Sequence, residues 1–424
     1  MATSVISSAE SLRERYRTVR QRSVQLCKPL TPEDMMVQSC PEASPAKWHL
    51  AHTAWFFESF VLREFLAGYR LFNDDFPWLF NSYYQTFAEF PDKRLRASFS
   101  RPGLDEVLSY RQHVDESIDR LLEGDAPEEA QRRIDLGLNH EEQHQELLLT
   151  DIKHALFTNP LQPAYLAGDS VGTAEVLPLE FLDYEGGLVE IGQAEGDGFG
   201  FDNERPRHRV WLEPFRLASR LITCGEFAEF MADGGYRRPE LWLSAGWDTV
   251  RELGWQAPLY WRKTDASDGE WTIGSLRGKR SLQELAGSPV AHVSFFEADA
   301  YAHWRGFRLA TEAEWETVAG LAPVEGNLLE SGRLEPVAAD NAPAHAGQLF
   351  GDCWEWTSSA YLGYPGFSPL AGSLGEYNGK FMSGQMVLRG GSCVTPVQHI
   401  RASYRNFFPP ETRWQFSGIR LASS

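Results

Sequence analysis

The sequence predicts an α+β chain in which a bundle of four long helices is followed by a mixed, loop-rich domain. Apolar residues recur at helical spacing through roughly the first 165 residues. Beyond them, short β-like runs alternate with loops rich in Gly, Pro and Asp. The length of 424 residues, at about 150 residues per domain, favours two or three domains over one.

Four segments of the first part carry the helical pattern. A bundle is the natural packing for such helices, and bundle interiors commonly hold metal sites built from facing side chains. Pro127 suits the first turn of the last helix. The connection from Phe72 to Arg101 carries Pro, Asn, Asp and aromatic residues, so we expect it to be ordered. The predicted helices run from Ser7 to Leu26, Ala46 to Leu66, Leu104 to Leu122 and Pro127 to Leu156.

A domain boundary is expected after the fourth helix, because Asn159 to Pro163 contains two prolines that end it. We therefore predict a helical domain at 1–165, a linker at 166–183 and a mixed domain at 184–424. In the mixed domain the strands are predicted at Leu188–Ile191, Arg209–Leu212 and Met386–Arg389, and the helices at Cys224–Ala232 and Glu297–Trp304.

Composition excludes several classes of function. The formal net charge of −19 repels phosphate backbones and anionic lipid surfaces, so neither a nucleic acid nor a membrane is expected as a partner. No apolar run reaches the ~20 residues of a membrane span, and the N-terminus does not resemble a signal peptide. We expect a soluble, cytoplasmic protein. The five scattered cysteines include no CxxC pair and predict reduced thiols.

Two short histidine patterns in the helical part indicate a metal site. His140 and His144 are four residues apart, which places them on one face of a helix. A third ligand from a facing helix would complete a three-histidine face with open positions. We favour His52 over His49 for that role. The pair could instead lie on an exposed helix by chance, and the string also fits the HExxH zinc-protease pattern with Glu141 as base, without a recognisable substrate cleft.

Longer strings carry a resemblance to known families. The second half resembles the formylglycine-generating-enzyme (sulfatase-modifying-factor) fold, a C-type-lectin-like mixed domain, and the first half resembles the DinB-like four-helix bundle. In this order they resemble the sulfoxide synthases of ergothioneine biosynthesis (the EgtB family). The strings of the second half are Phe201–Pro206, Pro289–Ser294, Gly306–Trp315, Trp354–Trp356 and Arg389–Ser392.

A finer resemblance is to the branch of that family that uses free cysteine. It implies a non-haem Fe(II) enzyme that uses O₂ to join the sulfur of cysteine to the imidazole C2 of hercynine (Nα-trimethylhistidine), giving a sulfoxide. Cysteine and hercynine are then the small-molecule partners. The strings that carry this resemblance are Phe80–Tyr84, Gly375–Phe381, Tyr404–Pro410 and Arg413–Gly418.

The resemblance assigns roles to residues of the helical domain. His52, His140 and His144 fall on the iron ligands, His49 falls on a position that is not a ligand, and Gln143 falls on a residue that faces the substrate imidazole. A Gln on a bundle helix is otherwise most often exposed.

Two further pairs follow from the resemblance in the connection after the second helix. Tyr83 and Tyr84 fall on a catalytic tyrosine pair, where a phenol can donate a proton. A packed tyrosine pair is the competing interpretation, and the sequence does not decide which of the two tyrosines is catalytic. Arg96 and Arg101 are candidates to bind the cysteine carboxylate.

The resemblance also assigns substrate contacts in the second domain. Trp414 and Phe416 fall on aromatic residues around the quaternary ammonium, which cation–π attraction of ~0.5–2 kcal/mol per ring would hold. Both could instead be core residues, as most of the 54 aromatic residues must be. Asn406, and after it Arg420, are the polar candidates beside them.

Competing functions remain open from the sequence. A formylglycine-generating enzyme needs two active-site cysteines in its last segment, and this alternative fails because Cys393 has no partner downstream. A DinB-type metal-dependent thiol transferase would use zinc or nickel on the same histidines, and a non-catalytic binding module is a further alternative. Within the family, an ovothiol-type or selenoneine-type synthase differs in the substrate or in the donor, and γ-glutamylcysteine is another donor.

Overall fold

The computed structural model describes residues 2–168, 176–264, 269–339 and 346–424. The chain forms two compact units: residues up to Thr158 together with Leu370–Tyr377 make the first, and Asn159–Pro369 with Asn378–Ser424 make the second. The predicted division into 1–165 and 184–424 contains no such return of the chain to the first unit. Of the predicted linker 166–183, residues 169–175 lie outside the described residues.

The first unit is the predicted helical bundle. Its four long helices confirm the four predicted segments, and the second is prolonged by a π-helical turn at Glu58–Leu62. Acidic residues occupy the first turn of the third and fourth long helices, where they offset the positive end of the helix dipole. The helices are α1 Ala2–Cys27, α2 Ala46–Phe57, α3 Arg63–Phe65, α4 Phe76–Leu79, α5 Leu104–Glu123 and α6 Glu128–Thr158.

Helix α2 is the centre of the bundle, since every one of its residues is buried. Gly137 lets α6 lie close against it: a Cβ at this position would be 2.5 Å from the ring of Phe57 and 2.9 Å from that of Phe56. Because Gly137 is one turn before His140, this close approach brings the histidines of the two helices together.

The second unit is mixed, as predicted, and the strands and helices expected there are confirmed within a few residues. Its helices are α7 Cys224–Ala232, α8 Ser244–Leu253, α9 Leu282–Leu285, α10 Phe295–Arg305 and α11 Glu312–Ala319. Its strands are β1 Phe181–Tyr184, β2 Gly187–Ile191, β3 His208–Leu212, β4 Phe215–Ala218, β5 Trp261–Lys263, β6 Trp271–Ser275, β7 Gly278–Ser281, β8 Arg308–Leu309, β9 Gly326–Asn327, β10 Phe350–Gly351, β11 Trp354–Ala360, β12 Met386–Arg389, β13 Asn406–Phe408, β14 Ser417–Gly418 and β15 Leu421–Ser423.

The strands of the second unit form several small sheets rather than one large one. The two four-stranded sheets have the orders β1-β4-β15-β8 and β13-β12-β11-β14, and a three-stranded sheet has the order β5-β6-β7. Four of its helices begin with the same reciprocal cap, in which a Ser or Thr receives a backbone N–H and a Glu three residues later returns the bond. The loop-rich unit is therefore stabilised by local caps as well as by an aromatic core.

No helix in the described ranges is long and apolar enough to cross a lipid bilayer.

Candidate metal centre

Three histidines of the helical unit converge in the bundle interior. His52 lies on α2, and His140 and His144 lie on α6. One ring nitrogen from each is within 4.8 Å of the other two. The ring centroids are 4.5 to 5.0 Å apart. The structure thus brings together the three histidines that the sequence singled out as ligands.

The ring of His52 is held in one orientation. Its Nδ1 lies 2.6 Å from the carbonyl oxygen of Phe80, and the indoles of Trp48 and Trp55 stack on it, both at 13° to its plane. Within the described part of the chain, its Nε2 is buried without a hydrogen-bond partner. A fixed ring with one free nitrogen is what a metal ligand requires.

His140 shows the clearest sign of a missing partner. Both of its ring nitrogens are buried and lack a hydrogen-bond partner among the described residues. Burial lowers the pKa of His140 to about 3. The pKa values of His52 and His144 are also lowered, mainly by burial. Three neutral imidazoles in a buried cluster are a donor set that fits a divalent transition metal.

His49 is bonded to the cluster from outside it. Its Nδ1 lies 2.8 Å from the Nδ1 of His144, and its Nε2 lies 3.0 Å from Oδ2 of Asp151. This contact uses the Nδ1 of His144 and leaves its Nε2 for the cluster. His49 is therefore a neighbour of a candidate ligand, consistent with the structural role expected for it.

Glu141 is not available as the base of a zinc protease. Its carboxylate receives hydrogen bonds from Arg20, Arg111 and Ser23. Desolvation opposes its charge, but the two guanidinium groups and the serine hold the pKa of Glu141 down at about 2. A carboxylate that is fully engaged with two arginines cannot also take a proton from a metal-bound water, so the protease alternative fails.

Three tyrosines of the helical unit lie close to one another, one more than the sequence indicated, and one of them contacts the histidine cluster. The rings of Tyr83 and Tyr84 stack with centroids 4.6 Å apart. Tyr377 lies with its ring 5.6 Å from His140 and 6.4 Å from Tyr83. Burial raises the pKa of both Tyr83 and Tyr84, so these phenols keep their protons.

Tyr377 is the site residue that sequence reasoning missed. Its hydroxyl donates a hydrogen bond to Oε1 of Gln143, next to the candidate ligand His144. This bond gives Gln143 a defined orientation at the cluster. Tyr377 stands in the string Gly375–Phe381, which carries the finer family resemblance. Its contact with the histidines could not be predicted, because they lie more than 200 residues earlier in the chain.

The residue before Tyr377 ties two loops of the unit together. The Glu376 carboxylate accepts from the backbone N–H of Gln85 at 3.1 Å and of Thr86 at 2.9 Å, and from the Thr86 hydroxyl at 2.5 Å. Gln85 and Thr86 directly follow the tyrosine pair. Glu376 therefore joins the loop of Tyr83 and Tyr84 to the segment that carries Tyr377.

The two candidate arginines have different surroundings. Arg96 is buried, with its guanidinium 3.4 Å from the ring centroid of Trp48, and it donates to the hydroxyls of Ser44 and Ser82. Burial lowers the pKa of Arg96 to about 9. Arg101 is exposed. The structure therefore places Arg96 behind the indole that stacks on His52 and does not bring Arg101 to the cluster.

The candidates of the second unit differ in what they expose. Phe416 is fully buried against His292, with ring centroids 4.6 Å apart. Trp414 is half-buried, packs on Phe408 and has an indole N–H without a partner in the described ranges. Asn406 begins β13 and is half-buried. Of the two aromatic candidates, Trp414 is the one with ring surface left for a ligand.

Arg420, the remaining polar candidate, is fully engaged in the core of the second unit. All three of its guanidinium nitrogens donate hydrogen bonds, two of them to Glu355. The structure therefore places Arg420 in a buried hydrogen-bond network of the protein, where nothing in its described surroundings indicates a substrate contact.

Comparison with known proteins places both halves of the chain. Residues 15–155 match the DinB superfamily, and residues 173–424 match the sulfatase-modifying factor enzyme 1-like domain. A hercynine oxygenase of Mycolicibacterium smegmatis is 32% identical over 454 residues, covering 97% of this chain and 98% of that protein. The chain belongs to the hercynine oxygenase family.

Further relatives agree with this hercynine oxygenase assignment. A hercynine oxygenase of Mycobacterium tuberculosis is 30% identical over 442 residues, covering 98% of this chain and 99% of that protein. The ergothioneine biosynthesis protein 1 of Schizosaccharomyces pombe is 28% identical over 238 residues, covering 53% of this chain and 28% of that protein. The predicted family and two-part fold are confirmed, and the relatives support an enzyme of the ergothioneine pathway.

Proposed function

We propose that this chain is a non-haem iron(II) enzyme that uses O₂ to couple cysteine to hercynine as a sulfoxide. The observation that carries the proposal is the buried cluster of His52, His140 and His144, whose nitrogens include three without hydrogen-bond partners in the described chain. It stands in a chain that is similar over its whole length to proteins named hercynine oxygenase.

The overall reaction balances without a further reductant. Hercynine loses the hydrogen on C2 and cysteine loses its thiol hydrogen. One oxygen atom of O₂ goes to the sulfur of the new C–S bond, and the other leaves as water with the two hydrogens. Iron held by the three histidines would supply the binding of O₂ and of the thiolate together with the one-electron steps.

The residues of this chain would hold protons and orient the imidazole. Burial raises the pKa of Tyr83 and Tyr84, so these two phenols keep their hydroxyl protons at neutral pH and would be able to donate one to an oxygen that gains charge. The Tyr377 hydroxyl, which donates to Gln143, is the third candidate donor. Gln143, which accepts a hydrogen bond from the Tyr377 hydroxyl, would hydrogen-bond the imidazole of hercynine.

Charge complementarity accounts for the remaining groups of both substrates. Among the described residues, the buried guanidinium of Arg96 bonds to the hydroxyls of Ser44 and Ser82 and to no carboxylate, so it suits the carboxylate of cysteine. In the second unit, Trp414 exposes an indole face for a trimethylammonium, which cannot donate a hydrogen bond. We retain Asn406 as a polar contact, and Phe416 and Arg101 as weaker candidates.

The decisive experiment uses the full chain loaded anaerobically with Fe(II). Hercynine, cysteine and O₂ are added together, O₂ consumption is followed, and the sulfoxide is sought by mass spectrometry; the same protein loaded with Zn(II) is the control. We expect about one O₂ consumed per sulfoxide formed with iron and none with zinc. If the iron-loaded protein consumes no O₂, the proposed function is wrong.

Competition between substrates then defines the reaction. We expect a higher kcat/KM for cysteine than for γ-glutamylcysteine or a selenium donor, and for hercynine than for histidine. Preference for histidine would point to an ovothiol-type enzyme, and preference for a selenium donor to a selenoneine-type one.

Three single variants distinguish the tyrosines. Tyr83→Phe, Tyr84→Phe and Tyr377→Phe each remove one hydroxyl and keep the ring. The variant that lacks the proton-donating phenol should have a kcat about 10²–10⁴-fold lower than the unaltered protein, while the other two should change kcat less than tenfold. Equal and small losses in all three would exclude a tyrosine as the proton donor.

A further inference from the structure

Three hydrogen-bonded side chains, those of His144, His49 and Asp151, connect the histidine cluster to a later turn of helix α6. Asp151 stands seven residues, about two turns, after His144 on α6, and His49 on α2 lies between them. Asp151 Oδ2 is 3.0 Å from His49 Nε2, and His49 Nδ1 is 2.8 Å from His144 Nδ1. His49 and Asp151 are both buried.

The direction of these hydrogen bonds follows from the donors and acceptors available. A carboxylate oxygen accepts, and Oδ2 of Asp151 also receives the backbone N–H of Ser44 at 2.8 Å. His49 must therefore donate from Nε2, and as a neutral imidazole it has a lone pair on Nδ1. That lone pair accepts a hydrogen bond from the Nδ1–H of His144.

We infer that Asp151, acting through His49, fixes the tautomer of His144 so that its Nε2 lone pair faces the metal cluster. Both are positioning residues, since neither touches the metal ion or substrate. The carboxylate acts across an intervening imidazole, whereas a ligand histidine is commonly bonded directly to a carboxylate or carbonyl. The inference rests on the metal-binding part of the proposed function and not on iron, O₂ or cysteine.

The three histidines are held in three different ways, which sharpens the inference. The Phe80 carbonyl fixes the tautomer of His52. The residues described around His140 fix neither of its nitrogens. His144 alone depends on a distant side chain, so changing Asp151 should weaken metal binding without altering any of the three ligands.

Two matched pairs of variants test the acceptor. His49→Leu leaves Nδ1–H of His144 without an acceptor, whereas His49→Gln keeps an amide oxygen in reach. Asp151→Ala removes the acceptor for Ser44 and His49, whereas Asp151→Asn keeps one oxygen for both. In each pair, one variant lacks the hydrogen-bond acceptor and the other, altered at the same position, retains one.

The measurement is Zn(II) affinity of the metal-free full chain, by competition with a chromophoric chelator. We expect His49→Leu and Asp151→Ala to bind Zn(II) about 10–100-fold more weakly, the range for lost outer partners of ligands. His49→Gln and Asp151→Asn should stay within about threefold of the unaltered protein. Wild-type affinity in His49→Leu and Asp151→Ala would overturn the inference, and so would equal losses in all four variants.

A second measurement observes the ring tautomers of the unaltered protein directly, and a variant serves only to assign its signals. Long-range ¹H–¹⁵N spectra of the metal-free protein with labelled histidine report which ring nitrogen carries the proton. We expect His144 to be protonated on Nδ1 and His49 on Nε2, with His144→Asn used to assign the signals. The opposite tautomer of either ring would refute the inference.

The outcomes separate this inference from the proposed reaction. Zn(II) affinity and ring tautomers are measured without O₂, cysteine or hercynine. If the sulfoxide is absent but the acceptor-free variants lose affinity, the reaction is wrong and the positioning role stands. If the sulfoxide forms but those variants keep full affinity, the reaction stands and the positioning role fails.

Discussion

Two buried polar groups, Arg420 of the second unit and His140 of the helical unit, differ in whether the described residues satisfy their hydrogen bonds. In the second unit, Arg420 and Glu355 are each 1% exposed, and every guanidinium nitrogen of Arg420 has an acceptor at 2.7 to 3.0 Å. In the helical unit, His140 is equally buried and both ring nitrogens lack a partner among the described residues. Since an unsatisfied buried polar group costs about 1–3 kcal/mol, the first arrangement stabilises a fold and the second indicates a ligand.

The strongest way to break this comparison is His140→Ala. Removing one of three ligands should lower Zn(II) or Fe(II) affinity by more than about 100-fold and abolish turnover. The metal-free protein should keep its thermal stability within a few degrees, because no hydrogen bond of the fold is lost. Metal content after dialysis and the unfolding temperature measure the two effects.

His154→Ala is the matched control, since His154 stands on the same helix and bonds Ser39 at 2.6 Å. It should retain one metal ion per chain. Full metal content in His140→Ala would show that the orphaned nitrogens do not mark the site.

The converse change, Arg420→Met, should act on the fold and not on the metal. Breaking a buried ion pair from one side leaves Glu355 uncompensated and costs about 3–5 kcal/mol. We expect the unfolding transition of the second unit to move to lower denaturant concentration while Zn(II) affinity stays unchanged. The double variant Arg420→Met/Glu355→Leu should recover part of the loss, and an unchanged transition in the single variant would contradict the role given to this pair.

A smaller effect is expected at Asp352, a buried carboxylate that accepts hydrogen bonds from amide groups. Burial raises the pKa of Asp352 to about 6, although Asn327, Val337 and Gln348 donate hydrogen bonds to it. Between about pH 4, its ordinary value, and pH 6, the folded protein holds a proton that the unfolded chain has released. Stability due to this group therefore falls as pH rises through that window, by up to ~3 kcal/mol.

Asp352→Asn removes this dependence. The free energy of unfolding of the variant, minus that of the parent, should grow by about 1–3 kcal/mol from pH 4 to pH 7. Denaturant titrations at the two pH values give the difference. A constant difference would mean that Asp352 titrates at its ordinary pKa, and a shrinking one that its pKa is lowered; either would contradict the prediction.

The smallest expected effect concerns the Glu376 clamp, that is, the hydrogen bonds that the Glu376 carboxylate accepts from Gln85 and Thr86. Glu376→Ala removes the acceptor of two exposed amides, worth ~1 kcal/mol, so the amide hydrogens of Gln85 and Thr86 should exchange about fivefold faster. Glu376→Gln keeps one oxygen and should change exchange less. Hydrogen-exchange mass spectrometry of peptides over residues 80–90 gives the rates in the metal-free protein. Unaltered exchange in Glu376→Ala would contradict the stabilising role given to Glu376.

The metal ligands were predictable because they lie at short, regular spacings. The i, i+4 rule puts His140 and His144 on one face, and a bundle supplies a third side chain from a facing helix. Local patterns also predicted the strands β2, β3 and β12 and the helix α7. Each of these depends on residues within a few positions of one another.

What the sequence did not predict depends on contacts between distant parts of the chain. The return of Leu370–Tyr377 to the helical unit joins Tyr377 to Gln143 and Glu376 to Thr86, and no periodicity encodes either contact. The engagement of Arg420 by Glu355 needed the sheet that pairs β11 and β14 side by side. Whether a buried polar side chain has hydrogen-bond partners is what distinguishes Arg420 from His140, and it can be seen only in the three-dimensional structure.

The return of Leu370–Tyr377 also sets the order in which the site is completed during synthesis. The three histidines leave the ribosome more than 200 residues before Tyr377 and Glu376. At about 5–20 residues per second, the nascent chain has its metal ligands for roughly 10–50 s without the third phenol or the clamp on the tyrosine loop. A truncation between residues 145 and 369 would therefore produce a chain with all three ligands but without the segment that carries Tyr377 and Glu376.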